Sequence, residues 1–212
     1  QGKMSTRWTT PDRYPHRDMW IWDSAFHALG WQYVDRTLAC EAIRTVLERT
    51  ADDGFIPISM NPFGERLIGE TQPPVLGWAL ARVADIAAMP TTELAWFYEH
   101  LQRFTEWILE HRSLTGRGLL GWHKDETSTR CRCGESGWDN SPRFDHAGPD
   151  DAVDLCAFVV NELQVLARLA QQLGRNAEES RHIARREELV RRINDRMWCE
   201  EDGLYYDLDR NG

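Results

Sequence analysis

Six stretches of this 212-residue chain carry helical periodicity, and they alternate in kind. Thr92 to Arg112 is the clearest: Leu94, Phe97, Leu101, Phe104 and Ile108 step by 3, 4, 3 and 4, with Glu93, Glu99, Gln102, Arg103, Glu106 and Glu110 elsewhere on the surface. Arg36 to Arg49 and Asn176 to Met197 follow the same rule, the latter striped by Ile183, Val190, Ile193 and Met197. Met19 to Trp31, Pro74 to Ala88 and Asp151 to Leu173 are instead apolar around most of their circumference. Val75, Leu76, Trp78, Ala79, Leu80 and Val83 cannot share one stripe, so such a helix is buried on several sides. Short links near 32–35, 89–91 and 174–175 join each buried helix to an amphipathic one, which predicts three αα-hairpins. Almost nothing reads as strand.

Two kinds of helix in alternation imply an inner and an outer layer. A superhelical array or a plain bundle is the competing architecture, but no signature recurs at a fixed period. The long Gly/Pro-rich segments 5–18, 50–73 and 115–150 each precede a buried helix, so all three gather on one rim, at the N-terminal ends of the inner helices. Loops of that length are usually functional. Helix N-termini there offer unpaired N–H groups to an oxygen-rich ligand.

Composition narrows the partner. A net charge of −9 argues against nucleic acid and anionic membrane, which repel an acidic surface. The one basic run, Arg181 to Arg192, is interrupted by acids. Ten tryptophans are many for this length and suit flat, ring-shaped ligands such as sugars. Five cysteines at irregular spacing fit no disulfide framework, and with neither a leader nor an apolar span legible, a cytoplasmic location is expected. Gln1-Gly2 ahead of Met4 reads as a cloning or protease-site remnant.

The rim segments hold the candidate site. In RDMWIWDSAFHALGW, Trp20 and Trp22 are two apart and point to different sides, while Asp23-Ser24 either caps the helix or meets a ligand. In the second segment Gln72 precedes Pro73-Pro74, a helix-opening pair, and offers a neutral amide to a sugar hydroxyl; Asn61 is a weaker candidate. In GESGWDNSPRF, Gly137 permits close backbone approach, and Asp139 lies between Trp138 and Asn140. A carboxyl beside an indole is placed for the desolvation that keeps a general acid protonated. The other reading is an Asx-turn, which spacing alone favours. Cys131-x-Cys133 with His123 and His146 nearby is tighter than zinc spacing and lacks a second pair, so unligated cysteines are expected and no metal.

In order, WIWDSAFHALGW, DGFIPI, TQPPVLGWAL, ESGWDNSPRF, the Asp154-Leu155 helix with LARLAQQLG, and MWCEEDGLYYDLD resemble glycoside hydrolase family 63. That family includes processing α-glucosidases and mannosylglycerate hydrolases, and trehalases look similar over the same blocks. The match runs from about Arg7 to the end. The resemblance implies an all-α (α/α)6 barrel, inverting hydrolysis of an α-glycosidic bond without cofactor or obligatory metal, and Asp139 as general acid. Trehalases carry a polar ligand where this chain has Ile58, which weakens trehalose as substrate.

The complete barrel has twelve helices, and six are counted here. The general base, a Glu in the family's C-terminal half, is not reached before Gly212, and the resemblance gives its role to neither Glu135 nor Asp23. Residues 1–212 are thus expected to form one incomplete glycosidase domain. Asp139 would protonate the leaving oxygen and Trp20 and Trp22 would shape the sugar subsite. Asp23, Gln72, Gly137, Trp138, Asn140 and Arg143 complete the expected substrate contacts, with Asn140 and Arg143 equally able to brace the loop. The contrasting expectation is a non-catalytic carbohydrate-binding or scaffold fragment. Either way, an incomplete barrel would self-associate or pair with a missing half.

Overall fold

A computed structural model describes residues 6–61, 69–125, 132–139, 141–145 and 148–212. Six helices carry the fold: α1 (Ile21–Trp31), α2 (Arg36–Leu47), α3 (Leu76–Val83), α4 (Thr91–His111), α5 (Val153–Gln172) and α6 (Asn176–Met197). α1, α3 and α5 touch in a row, and α2 and α4 pack behind them while α6 packs along α5. The two expected layers are therefore present. Of the three hairpins, α1 with α2 and α5 with α6 form as expected, whereas α3 and α4 barely touch. The reason is length: α3 spans eight residues, since Ala84 turns extended (φ −91°, ψ 143°) and Asp85 accepts the Ala88 N–H at 3.3 Å.

The local sequence accounts for most boundaries. Asp35 caps α2 by accepting the Leu38 N–H at 3.0 Å. α4 buries its expected stripe and also Tyr98, Thr105 and Trp107, because α2 and α5 flank it on different sides. α6 follows the reading in part: Met197 is buried and Ile193 packs on the core as expected, but His182 and Leu189 face inward in place of Ile183, which is 38% exposed, and Val190. The Tyr98 hydroxyl lies 2.9 Å from His182 Nε2, a buried polar contact between α4 and α6.

The start of α1 also differs. Met19–Trp20 forms β1, paired antiparallel with β2 (Ser59–Met60), and the Ile21 N–H continues the pairing to the Ile58 carbonyl at 3.3 Å. Two-residue strands leave no period to read. A second ribbon, β3 (Trp198–Cys199) with β4 (Leu204–Tyr205), leads to Leu208, which bridges Asp151 beside the start of α5.

One continuous core fills the space between layers, with Trp122, Tyr98, Phe97 and Phe104 among its largest buried side chains. The inner row is not covered all round, contrary to the reading of α1 as buried on several sides. Phe26 is 47% exposed, and with Val75, Trp78 and Phe158 it lines an apolar groove of about 230 Å³ across α1, α3 and α5. No helix of the described residues is long and apolar enough to cross a membrane.

Candidate active site

All three long rim segments meet at the N-terminal end of α1. They enclose an open pocket of about 280 Å³, to which Pro11 and His16 come from the first segment, Ile58, Glu70 and Gln72 from the second, and Gly134, Gly137 and Asp139 from the third, with Trp20, Trp22 and Asp23 between them. The β1–β2 pairing holds the first two segments together. Gln72 Oε1 accepts the Trp22 N–H at 3.2 Å, which leaves its amide NH2 as the free donor.

The third segment is held by Trp22. Gly137 has φ +72°, and a Cβ built on it would lie inside the Trp22 indole. Only glycine satisfies both the left-handed backbone and the close approach. The turn preceding it is a short 3-10 helix, Gly134–Ser136, in which the Ser136 hydroxyl donates to the Cys133 carbonyl (2.9 Å) and accepts the Trp138 N–H (3.0 Å). Ser141 then accepts the Arg143 N–H at 3.2 Å. The Ser141 N–H, which an Asx-turn would direct to the Asp139 carboxylate, donates instead to the Trp138 carbonyl at 3.0 Å.

Two of the pocket carboxyls sit above their ordinary range. Burial raises Asp23, and burial followed by the nearby Glu135 charge raises Glu70. Asp23 is in the first turn of α1 but is not its N-cap: that position is Trp20, without a side-chain bond, and the Ser24 hydroxyl donates to the Trp20 carbonyl at 2.6 Å. The capping alternative for Asp23-Ser24 therefore falls away. Trp138 is 58% exposed and Asp139 is exposed beside it, so that indole does not supply the expected desolvation.

Arg143 stands outside the pocket. Its guanidinium donates to both oxygens of Asp154 (2.6 and 2.9 Å) and both of Asp207 (2.7 and 2.8 Å). Asp207 also accepts the Val153 N–H at 2.9 Å, and Asp154 the Trp122 indole N–H at 3.0 Å. Burial pushes Asp154 up, but the Arg143 guanidinium and the indole outweigh it and hold that carboxyl below its usual range. Of the two roles expected for Arg143, bracing matches its partners, since four of its five N–H donors go to these two carboxylates and it does not line the pocket.

Asn140 and residues 62–68 lie outside the described residues, as do Cys131 and His146. Asn61, the weaker sugar candidate, is described but does not line the pocket. Cys133 is a packed thiol: its Sγ donates to the His123 carbonyl at 3.4 Å, and burial pushes it up to about 12. Among the described residues no three potential ligands gather around a point that would hold a metal.

Glu70, His16 and Pro11 were missed in the sequence. Glu70 had a signal: in an extended segment residues i and i+2 face one way, so Glu70 shares the side of Gln72 while Thr71 turns inward.

The model of the mannosylglycerate hydrolase MGH1-like glycoside hydrolase domain matches residues 14–212. The chain belongs to this family. A glucosylglycerate hydrolase of Mycolicibacterium hassiacum is 30% identical over 181 residues, covering 69% of this chain and 37% of that protein. A GH63 mannosylglycerate hydrolase of Thermus thermophilus, solved with Tris, superposes with TM-score 0.75 at 20% identity, over 95% of this chain and 64% of that one. A GH78 family rhamnosidase of Bacillus sp. GL1 superposes with TM-score 0.66 at 20% identity, over 92% of this chain and 19% of that one. The solved structures establish a shared helical fold, and the chain spans less than two thirds of the length of these relatives. The family 63 resemblance read from the six sequence blocks is borne out.

Proposed function

We propose that this chain is the first half of an (α/α)6-barrel glycosidase domain that hydrolyses an α-glucoside or α-mannoside with inversion. The observation that carries the reading is the meeting of all three rim segments at one pocket, where Asp139 faces Trp20, Trp22, Asp23 and Gln72. The relatives' names, a glucosylglycerate and a mannosylglycerate hydrolase, support glucose or mannose as the sugar and a small aglycone.

In this reading Asp139 donates its proton to the glycosidic oxygen as the bond to the anomeric carbon breaks. A base carboxylate about 6.5–9.5 Å away activates water on the opposite face, and it comes from residues outside this chain. Those residues would also dry the acid, which is exposed here. Trp20 and Trp22 flank the sugar ring, the Gln72 NH2 donates to a ring hydroxyl oxygen, and the Asp23 carboxyl bonds a hydroxyl. Gly137 gives the acid's turn its closeness to Trp22, and Trp138 borders the leaving group. The four cysteines among the described residues are unpaired, which fits a cytoplasmic setting.

Asp139→Asn in the complete enzyme tests the assignment. Hydrolysis of glycosides with poor leaving groups is expected to fall by about 10²–10⁴-fold with an unchanged melting curve. Retention of most activity overturns it.

A further inference from the structure

Glu135 is a fully buried carboxylate at the rim, and it ties together the pocket's frame without entering the pocket. Its Oε1 accepts the Thr71 N–H at 3.1 Å, and its Oε2 accepts the His123 N–H at 3.0 Å. Arg112, at the end of α4, donates from Nε to Oε2 at 2.8 Å and from Nη2 to Oε1. Arg112 is itself 8% exposed and lies over the Trp107 ring, its Cζ 4.6 Å from the centroid.

The placement of these bonds matters more than their number. Thr71 stands between Glu70 and Gln72, both of which line the pocket. Glu135 sits in the short 3-10 turn that leads through Gly137 to Asp139. One carboxylate therefore ties the peptide carrying the sugar-facing amide to the turn carrying the acid. A bidentate guanidinium, anchored on the outer-layer helix α4, fixes the direction in which that carboxylate points.

We infer that Glu135, oriented by Arg112, is the positioning residue that sets Asp139 against Gln72 and the bound sugar. The inference deepens the proposed function and rests on Asp139 being the acid. Glu135 touches no substrate; it acts through the Thr71 peptide and the turn. Its replacement moves the acid relative to the leaving oxygen, and a displacement of about 1 Å costs about 10²-fold in rate.

The test separates positioning from simple support by its dependence on the leaving group. In the complete enzyme, Glu135→Gln keeps the shape of the side chain and loses the charge. Its kcat on a glycoside with a poor leaving group is expected to fall about 10- to 100-fold, and on the corresponding glycosyl fluoride, which departs with little help from an acid, less than about 3-fold, with KM nearly unchanged. Arg112→Lys keeps the charge and loses the fork, and is expected to show the same pattern more weakly; it carries the test if Glu135→Gln does not fold. Asp139→Asn is measured alongside. Equal losses on both substrates for Glu135→Gln, beside a steep difference for Asp139→Asn, overturn the positioning role alone. Equal losses for Asp139→Asn as well overturn the acid assignment and the positioning role with it.

Discussion

Trp22 lies directly over Gly137, so closely that no side-chain carbon fits between the indole and the backbone. The contact joins the first turn of α1 to the turn bearing Asp139, and neither partner tolerates a larger neighbour. Gly137→Ala adds a methyl to a left-handed backbone, at about 1–2 kcal/mol, and drives it into the ring. A loss of at least about 2 kcal/mol in urea unfolding is expected, with the slope unchanged. A variant as stable as the parent would mean that the turn does not sit against Trp22.

The Arg143 cluster makes a different claim, since it links the acid's loop to Asp154 in α5 and to Asp207 near the chain's end. Arg143→Ala leaves two carboxylates facing each other, each with about a quarter of its side chain exposed. Full burial would put the cost at about 3–5 kcal/mol; with this exposure about 2 kcal/mol is expected. Arg143→Ala with Asp207→Asn should recover part of it, measured as a double-mutant cycle. Losses that simply add would show that the two side chains do not act together.

The apolar groove at Phe26, Trp78 and Phe158 bears on whether the chain stands alone. If further helices normally cover it, the isolated chain should hydrolyse no α-glucoside or α-mannoside and should self-associate in sedimentation as concentration rises. Phe26→Glu should shift it toward monomer. A chain that stays monomeric at every concentration, or that turns over glycoside by itself, contradicts the half-barrel reading.

What the sequence made legible follows the range of each interaction. The stripe from Leu94 to Ile108 is written in neighbouring residues, and α4 forms where it predicts. The two-layer order was legible for the same reason. The strand Met19–Trp20 was not, because its apolar pair continues the pattern of α1 and only Ser59–Met60, forty residues on, pulls it extended. Asp207 is 64 residues from Arg143, and nothing local marks either as a clamp. Trp138 misled in the opposite way: it adjoins Asp139 in sequence but turns to solvent, while the indole that packs on this turn is Trp22.

Glu162 makes the last prediction, and its sign is unusual for a carboxylate. It sits in α5, 1% exposed, and accepts the N–H groups of Gly77 (3.1 Å) and Trp78 (3.0 Å) in the first turn of α3. Those donors favour the charged form, but burial outweighs them and pushes the carboxyl up from 4.5 to about 8. Through that interval the folded chain holds a proton that the unfolded chain releases. Stability from this group is therefore greatest below about pH 4.5, declines as pH rises, and is lost above about pH 8. His182 acts oppositely over part of the range, because burial lowers it to about 4 and acid then favours the unfolded chain. Comparing Glu162→Gln with the parent cancels His182. The glutamine keeps an acceptor for one N–H and carries no charge, so the variant is expected to gain on the parent steadily from about pH 4.5 to 8 and to hold a constant margin beyond. Parallel stability curves for the two proteins across that interval would show that Glu162 is already ionised in the folded chain.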